Sequence, residues 1–354
     1  VPRRDKRAPL FRSPRAIRWQ KTPRLLTIPL MPPPTPDCFQ PTSQGRRLPA
    51  ANSGMAYCLI AALGYGAVNV CLRVLTVRCD RMLIIFSREL LAFTCVAVWV
   101  VWGLGRQRFT LPRWPAVLGL ITVGVATQMV ATLPFLWAMA IVGLAIAVTA
   151  SLGMSLVTSA VLGRFVLGER VSFQSLVSIG LLVGSVGMLT FGAQGASATV
   201  PSSAAANPWV LVLATVVAST AGSVYGVLYV SVRRSVTAGV SPGFVALIIP
   251  LTGVLCCAPA CFVRMGIDGI LATPREDLGI MLFAGILNVI AWFAFIKGLQ
   301  TTPVVRANII TAAQVAMAAV AGVFFFEEAA SPALFAGIAM TVAGMACIDR
   351  PPAG

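Results

Sequence analysis

Residues 137–172 read WAMAIVGLAIAVTASLGMSLVTSAVLGRFVLGERVS, a long apolar run that ends in an acidic turn at Glu169. Residues 296–331 read IKGLQTTPVVRANIITAAQVAMAAVAGVFFFEEAAS, a second apolar run that also ends in an acidic turn. An offset of 159 positions aligns the two runs and places Glu169 opposite Glu328. This offset is far longer than the period of a solenoid, so it predicts two related halves.

The composition indicates that most of the chain lies in lipid. Its 354 residues are 58% hydrophobic and only 11% charged, and the mean hydropathy is +0.87, whereas soluble domains carry about 25% charged residues. From position 54 onward the chain divides into ten apolar segments close to the length of about 20 residues that spans a bilayer. They lie near 55–75, 82–104, 115–134, 138–163, 173–192, 209–231, 243–263, 279–296, 303–325 and 333–348.

Each segment must be helical, because an isolated strand leaves its backbone groups unsatisfied in lipid. The predicted fold class is therefore an all-α integral membrane protein with ten transmembrane helices. We expect a first five-helix repeat at 54–193, an external linker at 194–208 and a second five-helix repeat at 209–350. Because five is an odd number, the second repeat would cross the membrane upside down relative to the first, as in many secondary transporters.

The distribution of basic residues predicts the orientation. With a cytoplasmic N-terminus, 21 Lys and Arg residues face the cytoplasm and 5 face outside, and without residues 1–53 the ratio is still 10 to 5. This asymmetry favours the inner membrane with both termini in the cytoplasm. The net charge of +16 does not indicate a nucleic-acid partner, since 11 of the 27 basic residues lie in residues 1–53 and most others lie in short loops.

Residues 1–53 form a basic, Pro-rich stretch with little periodicity, and we expect them to be disordered. Two interpretations stay open for this tail. Its Arg residues suit contact with anionic lipid. Alternatively the tail is an over-extended start, because Met55 stands at the beginning of the first apolar run.

Several motifs together resemble the EamA-type permeases of the drug/metabolite transporter superfamily. The first is Leu167-Gly168-Glu169-Arg170-Val171-Ser172 at the end of an apolar helix, with a looser copy at 326–331. Arg88 within FSRELLAF and the turn KGLQTTP at 297–303 also fit the pattern. The resemblance covers residues 54–350 and implies an inner-membrane permease that exports small metabolites or drugs without ATP.

This chain departs from the resemblance at two places. Many members carry Pro about fourteen residues before the Glu, where this chain has Ser155 and Gln314. The first half also lacks the Thr-Pro turn, since it reads AMAIVG at 138–143. These departures concern helix kinking and substrate class rather than the architecture.

Arg88 and Glu89 are charged residues inside a predicted span, where a charge costs about 2.5–3.5 kcal/mol on insertion scales. One interpretation is that Arg88 binds an anionic substrate group or that Glu89 carries a coupling proton. The other is that both lie near the interface, where they snorkel or pair locally and only fix the helix. Neighbouring helical residues point about 100° apart, so the two side chains need not pair with each other.

Uncharged polar and aromatic residues within the spans complete the candidate substrate pathway. A cavity between two transporter halves is expected to be lined by such groups, although each one singly also suits an interhelical hydrogen bond. These candidates are Asn69, Gln128, Thr149, Ser151, Ser155, Tyr225, Asn288, Trp292, Asn308 and Gln314.

Glu169 and Glu328 have two interpretations. The first is a structural turn near the N-terminus of the next helix, with Ser172 or Ser331 as its N-cap. The second is a contact that gates the pathway. Glycines in the fifth and tenth spans predict close helix contacts, either between the halves or in a homodimer.

The sequence contains no pattern typical of an enzyme. It has no G-x-S-x-G, H-E-x-x-H or Walker motif, and it contains no His. Cys257 and Cys261 are four apart but lack a second pair of ligands, so we predict neither a metal site nor a cofactor. The expected partners are the lipid bilayer and a small-molecule solute. The alternative function is a non-transporting membrane receptor or assembly protein that kept the transporter fold.

Overall fold

The computed structural model describes residues 51–105, 114–169, 172–193, 208–326 and 332–347, and all regular structure in these ranges is helical. The first half contains α1 (Ala51–Arg78), α2 (Arg81–Gly105), α3 (Trp114–Ala126), a π-helical segment (Thr127–Thr132), α4 (Leu133–Val166) and α5 (Phe173–Ala193). The second half contains α6 (Pro208–Thr237), α7 (Pro242–Leu271), α8 (Arg275–Thr301), α9 (Val304–Thr311), α10 (Ala313–Phe326) and α11 (Pro332–Ala346). The predictions for the tail up to residue 50, for the linker at 194–207 and for Glu328 lie outside the described residues.

Seven helical stretches within the described residues are long and apolar enough to cross a membrane. The longest runs without a loop from Trp114 to Val166, over 53 residues, which is more than twice the length that one span requires. Two further apolar helices, Phe173–Ser185 and Phe335–Gly344, are shorter.

The break inside the longest stretch lies at Gly143, not between residues 134 and 138 where the sequence places the boundary between two spans. Gly143 has φ 85° and ψ 174°, a backbone conformation that is essentially restricted to glycine. Pro134 does not break the helix because it is the second residue of α4, directly after the π-helical segment. A π-bulge is one of the ways in which a helix accommodates a local irregularity.

The second half breaks at the equivalent position. Thr302 is extended, with φ −114° and ψ 133°, and it separates α8 from α9. Gly143 and Thr302 are 159 positions apart, which is the offset between the two apolar runs in the sequence. The first half therefore uses a glycine where the second half uses Thr302-Pro303 to interrupt the helix.

The most extensive helix contacts join the two halves of the chain, through the pairs α4–α6, α1–α8, α5–α11 and α2–α7. Glycine permits the close approach at several of these contacts. A Cβ at Gly222 in α6 would overlap the Ser151 carbonyl in α4, and a Cβ at Gly184 in α5 would lie 2.6 Å from Met340 Cε in α11. Gly184 thus holds the halves together, whereas a Cβ at Gly180 or Gly187 would meet no atom within 4 Å.

Candidate functional site

A cavity of about 130 Å³ is lined by helices of both halves. Its wall combines polar side chains with aromatic rings and aliphatic groups. Nine of the twelve pathway candidates line this cavity, namely Asn69, Arg88, Glu89, Gln128, Ser151, Tyr225, Asn288, Trp292 and Gln314. Residues that are separated by up to 245 positions in the sequence therefore meet at one place.

Three candidates are not among the residues that line the cavity. The Thr149 hydroxyl donates to the Ala145 carbonyl at 2.6 Å, inside its own helix. Asn308 Nδ2 donates to Ser155 Oγ at 3.1 Å and to Ser159 Oγ at 3.0 Å, so this amide joins α9 to α4. Thr149 thus bonds within its own helix, and Ser155 and Asn308 bond to each other between two packed helices.

Arg88 and Glu89 form an ion pair within α2. Arg88 Nη2 lies 2.7 Å from Glu89 Oε1, and Arg88 Nε donates to the same oxygen at 3.2 Å. Their side chains are only 13% and 6% exposed, so the pair is largely buried within the protein. The two Cα–Cβ bonds diverge on the helix, but both side chains are long enough to turn toward each other inside the cavity.

Tyrosines form much of the aromatic wall. Tyr225 and Tyr229 are nearly parallel, with ring centroids 6.5 Å apart. Tyr229 and Tyr65 both pack edge-on against Phe295, at 4.7 Å and 6.3 Å. The sequence did not single out Tyr65 as a site residue. A signal for Tyr65 was present, because it precedes Tyr225 by 160 positions in the repeated Tyr-Gly pair.

Two hydrogen bonds link the halves across the cavity wall. Asn69 Nδ2 in α1 donates to Gln314 Oε1 in α10 at 3.1 Å. Tyr225 in α6 donates its hydroxyl to Thr132 Oγ1 in the π-helical segment at 3.3 Å. Gln314 stands where the resemblance expects a proline, so the departure from the family pattern supplies a polar contact at the cavity.

Two polar atoms of the lining residues have no hydrogen-bond partner within the described part of the chain. These are Gln128 Oε1 and Trp292 Nε1. Gln128 is 1% exposed and Trp292 is 7% exposed. Buried polar atoms are nearly always paired in folded proteins, so these two atoms are exceptions among the residues that line the cavity.

A glycine in α7 makes room for the charged pair. A Cβ at Gly253 would lie 2.5 Å from Glu89 Cγ and 3.0 Å from Gln128 Nε2. Any larger residue would push both side chains toward the cavity. Gly253 was not selected from the sequence, because an apolar helix gives no signal that distinguishes a glycine under a cavity from one facing lipid.

The sequence model of the EamA-like transporter family matches residues 52–191 and again residues 211–349. The chain belongs to the EamA-like transporter family. Membership places it in the drug/metabolite transporter superfamily and identifies it as a multi-pass, transporter-like membrane protein. The matched family model describes transporters.

The other comparisons inform the fold alone. No curated protein matches this EamA-like chain. One solved crystal structure resembles it over 84% of this chain and 96% of the other, with a TM-score of 0.62 and 18% identity. At that identity the similarity extends to the arrangement of the helices and not to a substrate.

Among the described residues, the side-chain hydrogen bonds of Glu169 in this EamA-like chain go to the second half. Its Oε2 accepts the backbone N–H of Val304 at 3.0 Å, and its Oε1 accepts from Arg233 Nε at 3.3 Å. Ser172 alone caps the following helix, since its Oγ accepts the N–H of Ser175 at 3.1 Å. The predicted N-cap therefore appears in the structure, while Glu169 spans the two halves.

Proposed function

We propose that this protein is an ATP-independent permease that moves a small metabolite or drug-like solute by alternating access. The observation that supports the proposal is the cavity between the halves, which holds an ion pair, side-chain amides and aromatic rings. Intramembrane ionisable residues that face a cavity are typical of substrate and ion pathways. A lipid-facing or purely structural interface does not require them.

We further propose ten membrane crossings in two inverted five-helix repeats. The break at Gly143 divides the stretch Trp114–Val166 into two crossings. Division of this stretch raises the seven crossings to eight, and the two shorter apolar helices bring the number to ten. Both termini would then lie in the cytoplasm of a cell whose inner membrane holds the protein, as the distribution of basic residues favours.

Proton exchange is the coupling that we propose, and we assign it to Glu89. Glu89 is the single carboxylate among the residues that line the described cavity. A proton gradient directed inward would then drive export of the solute. Proton binding to Glu89 leaves the cavity with one positive charge on Arg88, and release of the proton restores the neutral ion pair in each cycle.

We assign gating at one membrane face to Glu169 and Arg233. These residues hold the α8–α9 break against the end of α4. Alternating access requires one face of the cavity to close while the other opens. Separation of this pair would release the break and open a route between α4, α6 and α9.

Flux into proteoliposomes tests the permease proposal. Purified protein should move at least one solute of a broad metabolite panel, and a pH gradient should change the rate. The Arg88→Ala variant should lose flux, while Arg264→Ala, which alters an exposed Arg, should keep it. Saturable binding without flux by folded protein would instead support a receptor or assembly role.

A further inference from the structure

Arg73 in α1 is a buried cation that is not among the residues lining the cavity. It is only 3% exposed. Its Nη1 donates to the Met139 carbonyl at 2.8 Å and to the Ala140 carbonyl at 3.3 Å. These carbonyls belong to the last turn before the break at Gly143, where the negative end of the helix dipole favours a positive charge. The charge is therefore held by its own half of the chain.

The same guanidinium also contacts the second half. Arg73 Cζ lies 5.9 Å from the ring centroid of Phe326, which is the last residue of α10. A cation within about 6 Å of a ring centroid is attracted by the face of the ring. Because this contact crosses between the halves, a movement of α10 away from α1 breaks it and leaves the carbonyl contacts of Arg73 in place.

Arg233 combines two contacts in the same way. It donates to the Leu299 carbonyl, which lies before the break in its own half. It also pairs with Glu169, which lies beyond the end of α4 in the first half. Arg73 and Arg233 are 160 positions apart. Each arginine thus joins the helix break of its own half to the end of a long apolar helix in the other half.

The two arginine contacts lie at opposite ends of α1. Glu169 and Arg233 hold the break at Thr302. That break lies beside the start of α1, because a Cβ at Gly54 would be 2.5 Å from the Thr302 hydroxyl oxygen. Arg73 follows Gly54 by 19 residues in the same helix. A helix of this length spans about 28 Å, which is close to the thickness of about 30 Å of a hydrocarbon core.

Both contacts border the cavity. Leu72 lines the cavity and directly precedes Arg73, and Tyr229 lines it one helical turn before Arg233. Each contact is therefore placed to close one end of the cavity.

We propose that Arg73 and Phe326 form a second gate, at the membrane face opposite to the Glu169–Arg233 gate. This inference rests on the proposed function, since two gates that open in turn belong to an alternating-access pathway. When the second gate opens, Phe326 moves away with α10, while Arg73 stays on its carbonyls and gains contact with water. The opening then leaves no isolated charge in the protein interior, which would be strongly unfavourable.

Sided labelling of a cysteine in the cavity tests the second gate without any solute. Val148→Cys, at a cavity-lining position in α4, is the reporter in a chain without the nine native cysteines. An impermeant methanethiosulfonate reagent is added to intact cells or to inside-out vesicles, and the labelling rate is measured from each side. We expect Phe326→Leu to raise the rate from one side by about tenfold. Arg73→Gln should raise it from that same side, and Glu169→Ala should raise it from the other side.

Two matched variants separate the gate from general packing. Phe324→Leu alters a ring that is 78% exposed near the end of the same helix, and it should keep the wild-type rates. Phe326→Tyr keeps a ring beside the guanidinium and should also stay close to wild type. Faster labelling from both sides in Phe326→Leu, as a general loss of packing would produce, overturns the inference. An unchanged rate in Phe326→Leu, or a rise from the same side as in Glu169→Ala, overturns it as well.

The labelling test and the transport test fail independently. Unchanged labelling of the variants in a protein that moves a solute would refute the second gate and leave the permease proposal standing. One-sided changes in labelling in a protein that shows no flux for any solute would refute the permease and retain the gate.

Discussion

Glu169 and Arg233 hydrogen-bond to backbone groups on the two sides of one helix break. Pro303 has no N–H, so the Leu299 carbonyl four residues earlier lacks its helical donor, and Arg233 Nη1 donates to it instead. Val304 is the first residue of α9, so its N–H has no carbonyl acceptor in a preceding helical turn. Glu169 Oε2 accepts this N–H at 3.0 Å. The ion pair between the two side chains then fixes the end of α4 to the break.

The first half repeats part of this arrangement. Arg73 Nη1 donates to the Met139 carbonyl at 2.8 Å, four residues before the break at Gly143. Arg73 precedes Arg233 by 160 positions, as Met139 precedes Leu299. Each half thus places an arginine of its first helix on a carbonyl that lies shortly before its helix break, although the residues at the two breaks differ.

Removal of the Glu169 carboxylate should loosen this face of the protein. We expect Glu169→Ala to lower the unfolding temperature in detergent, because the Val304 N–H and Arg233 lose an acceptor, a loss of about 1–3 kcal/mol for a buried group. Glu169→Gln should fall between Ala and wild type, since an amide oxygen can still accept the N–H. Glu276→Ala, at an exposed carboxylate, is the matched control. Equal unfolding temperatures for Glu169→Ala and Glu276→Ala would contradict the contact.

Substitution at Gly253 should disturb the charged pair. A Cβ in Gly253→Ala would lie 2.5 Å from Glu89 Cγ, and overpacking of this kind costs about 1–3 kcal/mol. We expect lower stability and reduced solute binding together, both measured on purified protein. Gly119→Ala should leave both unchanged, because its Cβ would meet no atom within 4 Å. Wild-type binding by Gly253→Ala would show that the cavity tolerates movement of Glu89.

Inverted repeats require equivalent positions at opposite membrane faces. Val77 and Thr237 are 160 positions apart, and both are exposed at the ends of the first helix of each half. In a background without the nine native cysteines, an impermeant maleimide added to intact cells should label Val77→Cys. It should label Thr237→Cys only after permeabilisation. Labelling of both variants from outside would rule out the inverted arrangement.

Neutralisation of Glu89 should separate coupling from binding. Glu89→Gln leaves the Arg88 charge in the cavity without its partner, since Glu89 Oε1 accepts both Arg88 hydrogen bonds. We expect flux that no longer responds to a pH gradient, because the variant has no carboxylate in the cavity to bind and release a proton. Gradient-dependent flux in Glu89→Gln proteoliposomes would remove Glu89 from the coupling mechanism.

The sequence by itself determined the membrane class, the family and the presence of two related halves. Each of these depends on hydropathy or on local motifs, which need no tertiary information. The offset of 159 positions also aligns the two helix breaks. The first break is at Gly143 and not at the predicted boundary. The sequence does not show it, because a glycine in an apolar run can adopt either sign of φ.

Only the tertiary structure decided which polar residues share a cavity. Asn308 and Gln314 are six positions apart on consecutive helices, yet Gln314 lines the cavity while Asn308 bonds to Ser155 and Ser159 in a packed interface. The sequence does not distinguish them, because both are amides in apolar surroundings. α9 and α10 both pack against α1 and α4, and this packing between the halves decides which amide faces the cavity.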